Sequence, residues 1–299
     1  MEVLLWGIYF FDIIFTELPG VPSLGNEVFS HDISITPGGP FNTAVSLNRL
    51  GINCAWSCDF GNDFFSKFVL ERVEKEKLDQ SLFTYHDYPV RRITAAFSLS
   101  DDRGFISFMD EIPQTSPIEQ MKEHNPNILL LPHLHYGKNT IDILRTAHQL
   151  GIRIVMDCQS TNATLETTGV EEALRSADVF IPNEVEAIRL TRASSAMEAL
   201  RILSKLTPQV IIKCGKGGAI ALLDGKIIHE PAIEVQVVDT TGAGDCFNAG
   251  FLYGSLILKA PLSVCLKAAN YCGGISTTAV GGSSIPDKSQ LDEYLMQTG

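Results

Sequence analysis

The chain has 299 residues, 45% hydrophobic and 19% charged, which suits a globular chain of one large α/β domain and excludes an intrinsically disordered one. Its 23 Lys and Arg stand against 35 Asp and Glu, a net charge of −12 with no basic run, so neither nucleic acid nor an anionic membrane is expected as a main partner. Any phosphate it binds must be held locally, by backbone amides and a few placed cations.

The opening run MEVLLWGIYFFDIIF is apolar, but Asp12 interrupts it, no basic region precedes it and no small-residue cleavage site follows. A buried first strand, VLLWGI, is expected there rather than a membrane span or a leader. NTAVSLNRLG reads as a helix closed by Gly51, CAWSCDFG as a strand, and DFFSKFVLERVEKEKLD as a helix with a charged outer face. Farther on, NILLLP, IRIVMD, DVFIP and QVIIKCG read as strands, alternating with the helical TIDILRTAHQLG, VEEALRSA and EVEAIRL. Short apolar strands each followed by a helix suit neither an all-β nor an all-α fold. They predict an α/β fold: a central, mostly parallel sheet with helices on both faces.

Two stretches break this alternation. Residues 12–36 hold Pro19, Gly20, Pro22 and Gly25, then EVFSHDISI, whose alternation suits a half-exposed strand. Residues 82–110 hold RRITAAFSLS, a polar DDRG turn and FISFMD, the pattern of a β-hairpin. Both are read as strands of one small sheet beside the main one, forming a lid; the competing reading is two unrelated surface hairpins. Cysteines stand at 54, 58, 158, 214, 246, 265 and 272, odd in number and without CxxC spacing. They read as free thiols in a reducing cytoplasm. His133 and His135 in LLPHLHYG share a face but lack a third ligand at any metal-motif spacing, and read as ordinary strand-end histidines.

The chemistry concentrates in VVDTTGAGDCFNAGFLYG, where a strand, a tight turn and a helix from about Gly242 to Leu258 are predicted. Gly242, Ala243 and Gly244 carry little or no side chain, so a phosphate can approach the first amides of the helix, which have no partner inside it. Asp245, in that first turn, is kept ionised by the positive helix end. On local grounds this is equally a tight turn with a helix-capping aspartate. Yet a carboxylate repels phosphate, and suits better a base that takes a proton from a hydroxyl while the amides stabilise a transferring phosphoryl group. Asp12, near the edge of the first strand, Gly38 and Gly39, and Asn42 have bland readings too, as a turn residue, a tight turn and a helix cap. Asn183-x-x-Glu186 is likewise a capping box or, alternatively, part of a cation site, where a hard cation keeps waters and few carboxylates. Gly215-x-Gly217 is no dinucleotide fingerprint, because the third glycine is missing and a strand follows.

Residues 239–250 read Asp-Thr-x-Gly-Ala-Gly-Asp-x-x-x-Ala-Gly, with Phe251 and Leu252 continuing the helix, and GGPFNTAVSLNRLG at residues 38–51 is followed by Gly61. With these two signatures, in this order, the chain resembles the ribokinase-like, or PfkB, family of ATP-dependent carbohydrate kinases. The resemblance covers essentially residues 1–299. It implies a ribokinase-like fold whose lid comes from the insertions at about 12–36 and 82–110. It implies ATP and Mg2+, with Asp245 as catalytic base and Gly242, Ala243 and Gly244 as anion hole. Asp12, Gly38, Gly39 and Asn42 are implied at the acceptor, and Asn183, Lys213, Gly215, Gly218 and Asn270 at the nucleotide. Glu186 is implied to position magnesium through water. Asp239 and Thr241 match one side of a monovalent-cation site for K+, with the loop 279–284 opposite. Lys213 is on its own residues equally a strand-end charge.

The expected activity is phosphorylation of a primary hydroxyl of a sugar. Tyr9, Phe10 and Phe11 stand where the family often has an Asn shortly before Asp12, which leaves the sugar open. A nucleoside kinase is the alternative, with Phe10, Phe11, Phe97 and Phe108 stacking a base or serving as core. Arg91, Arg92 and Arg103 are candidate lid cations. A non-catalytic sugar sensor is a third reading, against which the retained Asp245 speaks. The exposed edge of the lid offers a place for a second subunit to pair as a homodimer, though nothing in the sequence requires it.

Overall fold

A computed structural model describes residues 1–98, 103–159, 161–279 and 284–298. The first half of the chain forms β1 (Val3–Trp6), β2 (Phe10–Thr16), β3 (Asp32–Gly38), α1 (Pro40–Arg49), β4 (Cys54–Phe60), α2 (Phe64–Lys75), β5 (Phe83–Tyr85), β6 (Arg92–Ser98), β7 (Arg103–Met109) and α3 (Ile118–His124). Next come β8 (Ile128–Leu131), α4 (Lys138–Gln149), β9 (Arg153–Asp157), α5 (Val170–Ser176), β10 (Val179–Ile181), α6 (Glu184–Thr191) and α7 (Ala196–Leu203). The last part holds β11 (Gln209–Lys213), β12 (Ala219–Leu223), β13 (Lys226–Glu230), α8 (Ala243–Leu252), α9 (Leu262–Ser276) and α10 (Lys288–Thr298).

Among the described residues the main sheet runs β13-β12-β11-β10-β9-β8-β1-β4-β5, parallel except for the antiparallel β11–β12 and β12–β13 pairs. Its central strands are continuous apolar runs because both faces are covered. Val3, Leu5, Ile128 and Leu130 pack toward α1, α2, α8 and α9, while Leu4, Trp6, Leu129 and Leu131 pack toward α3 to α7.

The second sheet runs β3-β2-β6-β7. β2 pairs with β3 antiparallel and with β6 parallel, so the two irregular stretches join one sheet and the reading as unrelated hairpins falls. Phe11 anchors this sheet, 3% exposed, with its ring edge-on to Phe64, Phe65 and Phe68 of α2.

Several local expectations change. Asp12 lies inside β2 rather than at the end of the first strand. The chain breaks at Gly7, where a side chain would meet Pro40 and Pro132 at 2.6 and 2.7 Å, and β2 starts three residues later. The strand expected in EVFSHDISI begins only at Asp32. β5 falls within 82–110 but pairs with β4 in the main sheet. VVD before the signature is no strand: the amides of Val238 and Asp239 both turn to the carbonyl of Thr277. The helix after it ends at Leu252 and passes into a wide turn, Tyr253–Ile257, closed by the Leu258 amide on the Tyr253 carbonyl at 3.2 Å. Gly254 makes room there, since a Cβ would stand 2.7 Å from the Cys265 Cα. Helices α3, α7 and α10 lie in stretches where no helix is expected.

Candidate active site

The two glycine-bearing signatures meet at the starts of α1 and α8. Gly242 precedes α8 in a left-handed conformation (φ 76°), and a Cβ there would stand 2.9 Å from the Asn42 Nδ2. Asn42 is 4% exposed, so it is packed between the helices rather than open to a ligand along its length. One residue on, Thr43 donates its hydroxyl to the Asp245 Oδ1 at 2.5 Å. Thr43 was not among the residues singled out from sequence; its only signal was its place one residue after Asn42.

Asp245 stands in the first turn of α8. Burial, with the charge of Asp157, pushes its carboxyl up to about 7, against the opposing Thr43 hydroxyl and Lys213 ammonium. Burial and the Asp245 charge likewise push Asp12 up to about 7, so a carboxyl of the small sheet and one of helix α8 share one neighbourhood. Gly38 is needed beside them: in the register Phe10 pairs with Gly38, and a Cβ on Gly38 would fall 1.9 Å from the Asp12 Oδ2. Gly39 caps α1 at φ 62°, with Phe10 close by at 3.4 Å from its virtual Cβ. Asp12, Gly38, Gly39 and Asp245 are thus brought together.

The amides of Gly244 and Asp245 have no carbonyl inside the helix to bond. The Ala243 amide, expected in the same anion hole, bonds the Thr240 carbonyl at 3.3 Å and is partly spent. Beneath this turn lies Lys213, whose Nζ stands 3.2 Å from the virtual Cβ of Gly244. Its ammonium is gripped by both oxygens of Asp157 at 2.7 and 2.8 Å. Asp157, 7% exposed at the end of β9, also accepts from the Asn248 side-chain amide at 2.6 Å and the Cys158 amide. Sequence reading missed Asp157 and Asn248. The latter is one turn after Asp245 on the same helix, and 3.6-residue periodicity could have found it.

Asn183 and Glu186 form the reciprocal capping box, with Asn183 Oδ1 accepting the Glu186 amide at 2.9 Å and Glu186 Oε2 accepting the Asn183 amide at 2.8 Å. Burial and the Asp157 charge hold Glu186 above the ordinary carboxyl range. The two carboxyls, Asp157 and Glu186, with the first-turn amides of α8 and the Lys213 ammonium, form a donor set of hard oxygens beside an anion cradle.

Gly215 opens a tight turn at φ 54°, and Gly218 is required by the chain alongside, where a Cβ would meet the Glu230 carbonyl at 2.1 Å. Asn270 braces the same strand exit, donating its amide to the Glu230 and Pro231 carbonyls at 2.9 and 3.0 Å. Asp239 accepts the Thr241 amide at 2.9 Å. The rest of the loop expected to face them, residues 280–283, lies outside the described residues, as does the side chain of Arg103. Arg91 is paired with Asp110, and Arg92 is 1% exposed over the Tyr9 ring. His133 stacks on His135 at 3.9 Å, and His135 on Trp6 at 4.7 Å. Burial pushes His133 down to about 4, so both rings serve as neutral packing at the sheet edge. All seven cysteines are free.

The profile of the pfkB family carbohydrate kinases matches residues 7–288. A fructokinase of Salmonella typhimurium is 27% identical over 280 residues, 86% of this chain and 91% of that one. Among solved structures, an Arabidopsis thaliana ribokinase complexed with ribose and ATP superposes with a TM-score of 0.81 at 23% identity, covering 98% of each chain. A Burkholderia thailandensis nucleoside kinase in complex with inosine gives a TM-score of 0.76 at 18% identity, covering 99% of this chain and 98% of that one. The fold is therefore the ribokinase fold. No helix among the described residues is long and apolar enough to cross a membrane.

Proposed function

The chain belongs to the pfkB family of carbohydrate kinases, and from that premise we propose that it moves the γ-phosphoryl group of ATP to a primary hydroxyl of a sugar, with Asp245 as general base. The observation that carries this is the placement of Asp245: in the first turn of α8, beside the acceptor-side Asp12, with a proton affinity near neutrality. A base poised near 7 accepts a proton readily and is about half ionised at neutral pH. Asp12 accepts hydrogen bonds from the acceptor's other hydroxyls and orients it. Asp245 removes the proton from the attacking hydroxyl, whose oxygen bonds the γ-phosphorus as the bond to ADP breaks and ADP leaves with the electron pair. The Gly244 and Asp245 amides and Lys213 face the charge on the transferring group.

Glu186, its orientation kept by the Asn183 cap, would hold magnesium through water, with Asp157 nearby occupied by Lys213; when bound, the ion would neutralise charge on the phosphates. Asn183, Lys213, Gly215, Gly218 and Asn270 line the nucleotide side, and Asp239 with Thr241 gives one wall of a K+ site. The small sheet serves as lid over the acceptor, and cytoplasm is the proposed location, consistent with seven free thiols. Ile33 and Ile35 on β3, and Phe105, Ile106, Phe108 and Met109 on β7, are exposed, which supports pairing of two copies through this sheet.

A nucleoside acceptor is favoured by one observation, the partly exposed Phe10 ring beside Gly39, which is placed to stack a base. Phe11, by contrast, is core. ADP release from Mg-ATP across sugars, sugar phosphates, polyols and nucleosides, with and without potassium, decides between them. Turnover that disappears in Asp245→Asn supports the assignment; turnover that survives in that variant defeats it.

A further inference from the structure

A second cavity lies at the opposite, N-terminal edge of the main sheet. It has a volume of about 290 Å³, and Arg153 at the start of β9, Gln209 at the start of β11, Ser255 and Lys259 contribute its polar wall. Among the described residues no carboxylate lines it, in a chain of net charge −12. Among the described residues neither Arg153 nor Lys259 makes an ion pair; Arg153 donates only to the Gln209 Oε1, at 3.3 Å. Asp178, on the same strand edge, accepts the Ile154 amide on Oδ2 at 2.7 Å and is not among the residues of the wall. Two unneutralised cations converging on one concavity are unusual in an acidic protein, since mutual repulsion opposes them unless an anion intervenes.

Three further features point the same way. The Ser255 hydroxyl oxygen is buried and has no hydrogen-bond partner among the described residues. It lies in the wide turn Tyr253–Ile257, a π-type turn of the kind that recurs at functional sites. Lys259, in the cavity wall, adopts a left-handed backbone (φ 48°), a strained conformation for a residue with a side chain. Finally, α9 begins at the cavity wall with Leu262, without a side-chain cap and without an acidic residue in its first turn. The Val264 and Cys265 amides bond the Pro261 carbonyl, leaving those of Leu262 and Ser263 for an outside acceptor.

We propose that this cavity is a binding site for a phosphate group, distinct from the reaction centre. Arg153 and Lys259 supply the charge, the Ser255 hydroxyl and the Gln209 side chain supply hydrogen bonds, and the α9 amides complete the cradle. Helix α8 joins the two sites, with Asp245 in its first turn and Phe251, near its end, in the cavity wall. The inference stands independently of the kinase reading, because its readout is binding.

The test titrates inorganic phosphate, at constant ionic strength, into the ¹⁵N-labelled full chain and follows backbone amide signals. The Ser255, Lys259, Leu262 and Ser263 signals should move saturably. In Arg153→Gln/Lys259→Gln the same titration should weaken about tenfold or more. Signals of Gly244 and Asp245 should respond alike in both proteins. Both substitutions are at exposed positions, and the dispersion of the spectrum reports folding; Lys259→Gln alone serves if the pair does not fold. A sugar phosphomonoester run beside inorganic phosphate tells whether the cavity prefers a phosphorylated metabolite or the free ion. Saturable shifts that persist in the variants, or a drift that sodium chloride reproduces, overturn the proposal.

Discussion

Replacing Asp245 by Asn separates two consequences of the same carboxyl. Asn keeps the size and still accepts the Thr43 hydroxyl, but it takes no proton from an acceptor. Turnover should fall by a factor on the order of 10² to 10⁴, the usual contribution of a general base. Stability should move the other way, and only at high pH. The folded carboxyl titrates at about 7 against an ordinary 3.8, so its proton is held more tightly in the native state. Its stabilising contribution is complete below the unfolded value and is lost as pH rises through the folded one. Three units at 1.36 kcal/mol each set an upper bound of about 4 kcal/mol for the cost of ionising it in place. With roughly half of that left after relaxation, about 2 kcal/mol, the variant should melt some 4 °C or more above the parent near pH 8. At pH 4 the two should melt together. Parallel kcat and melting curves across pH are the assay. Equal melting temperatures near pH 8 would refute the burial argument, and near-parental kcat would refute the catalytic one.

Other substitutions probe the neighbours. Thr43→Val removes the hydrogen bond that favours the ionised base, so the acid limb of the kcat–pH profile should shift upward, by up to about one unit; an unmoved limb would disconnect Thr43 from the base. Gly38→Ala places a methyl 1.9 Å from the Asp12 Oδ2, and kcat/KM for the acceptor should drop by roughly 10² or more while ATP affinity holds. Steady-state kinetics with each substrate varied checks this, and an equal loss for both substrates would point to general unfolding instead. Lys213→Met leaves Asp157 buried and unpaired, at a cost of about 3 to 5 kcal/mol in denaturant melts. Adding Asp157→Asn should recover much of that loss; a double variant less stable than either single one would contradict the pairing argument.

The α/β alternation was legible because a strand buried on both faces must be apolar at every position, as in residues 128–131 and 154–156. The loop and helix start around Asp245 was legible for a similar reason: a close backbone approach tolerates only small residues, and the constraint is local in the chain. Asp12 was legible as a residue but not as a place, since only the squeeze on Gly7 between Pro40 and Pro132 shows that the first strand stops and a second sheet begins. The joining of residues 10–16 and 92–98 in one sheet is a long-range pairing that no local pattern encodes.

The partnerships of the site belong to the tertiary structure alone. Thr43 meets Asp245 across 202 positions, and Lys213 meets Asp157 across 56. Proton affinity follows from such contacts: Asp245 on local grounds is an ordinary ionised helix-start carboxylate, and burial beside Asp157 carries it to about 7. The cavity between Arg153 and Lys259 has the same origin, two cations far apart in sequence that matter only once β9 and the turn after α8 bring them to one wall. Residue type and local spacing therefore determined which chemistry this chain carries. Folding decided which carboxyl holds a proton and which charges stand together, because desolvation and Coulomb energy depend on distances in space and not along the chain.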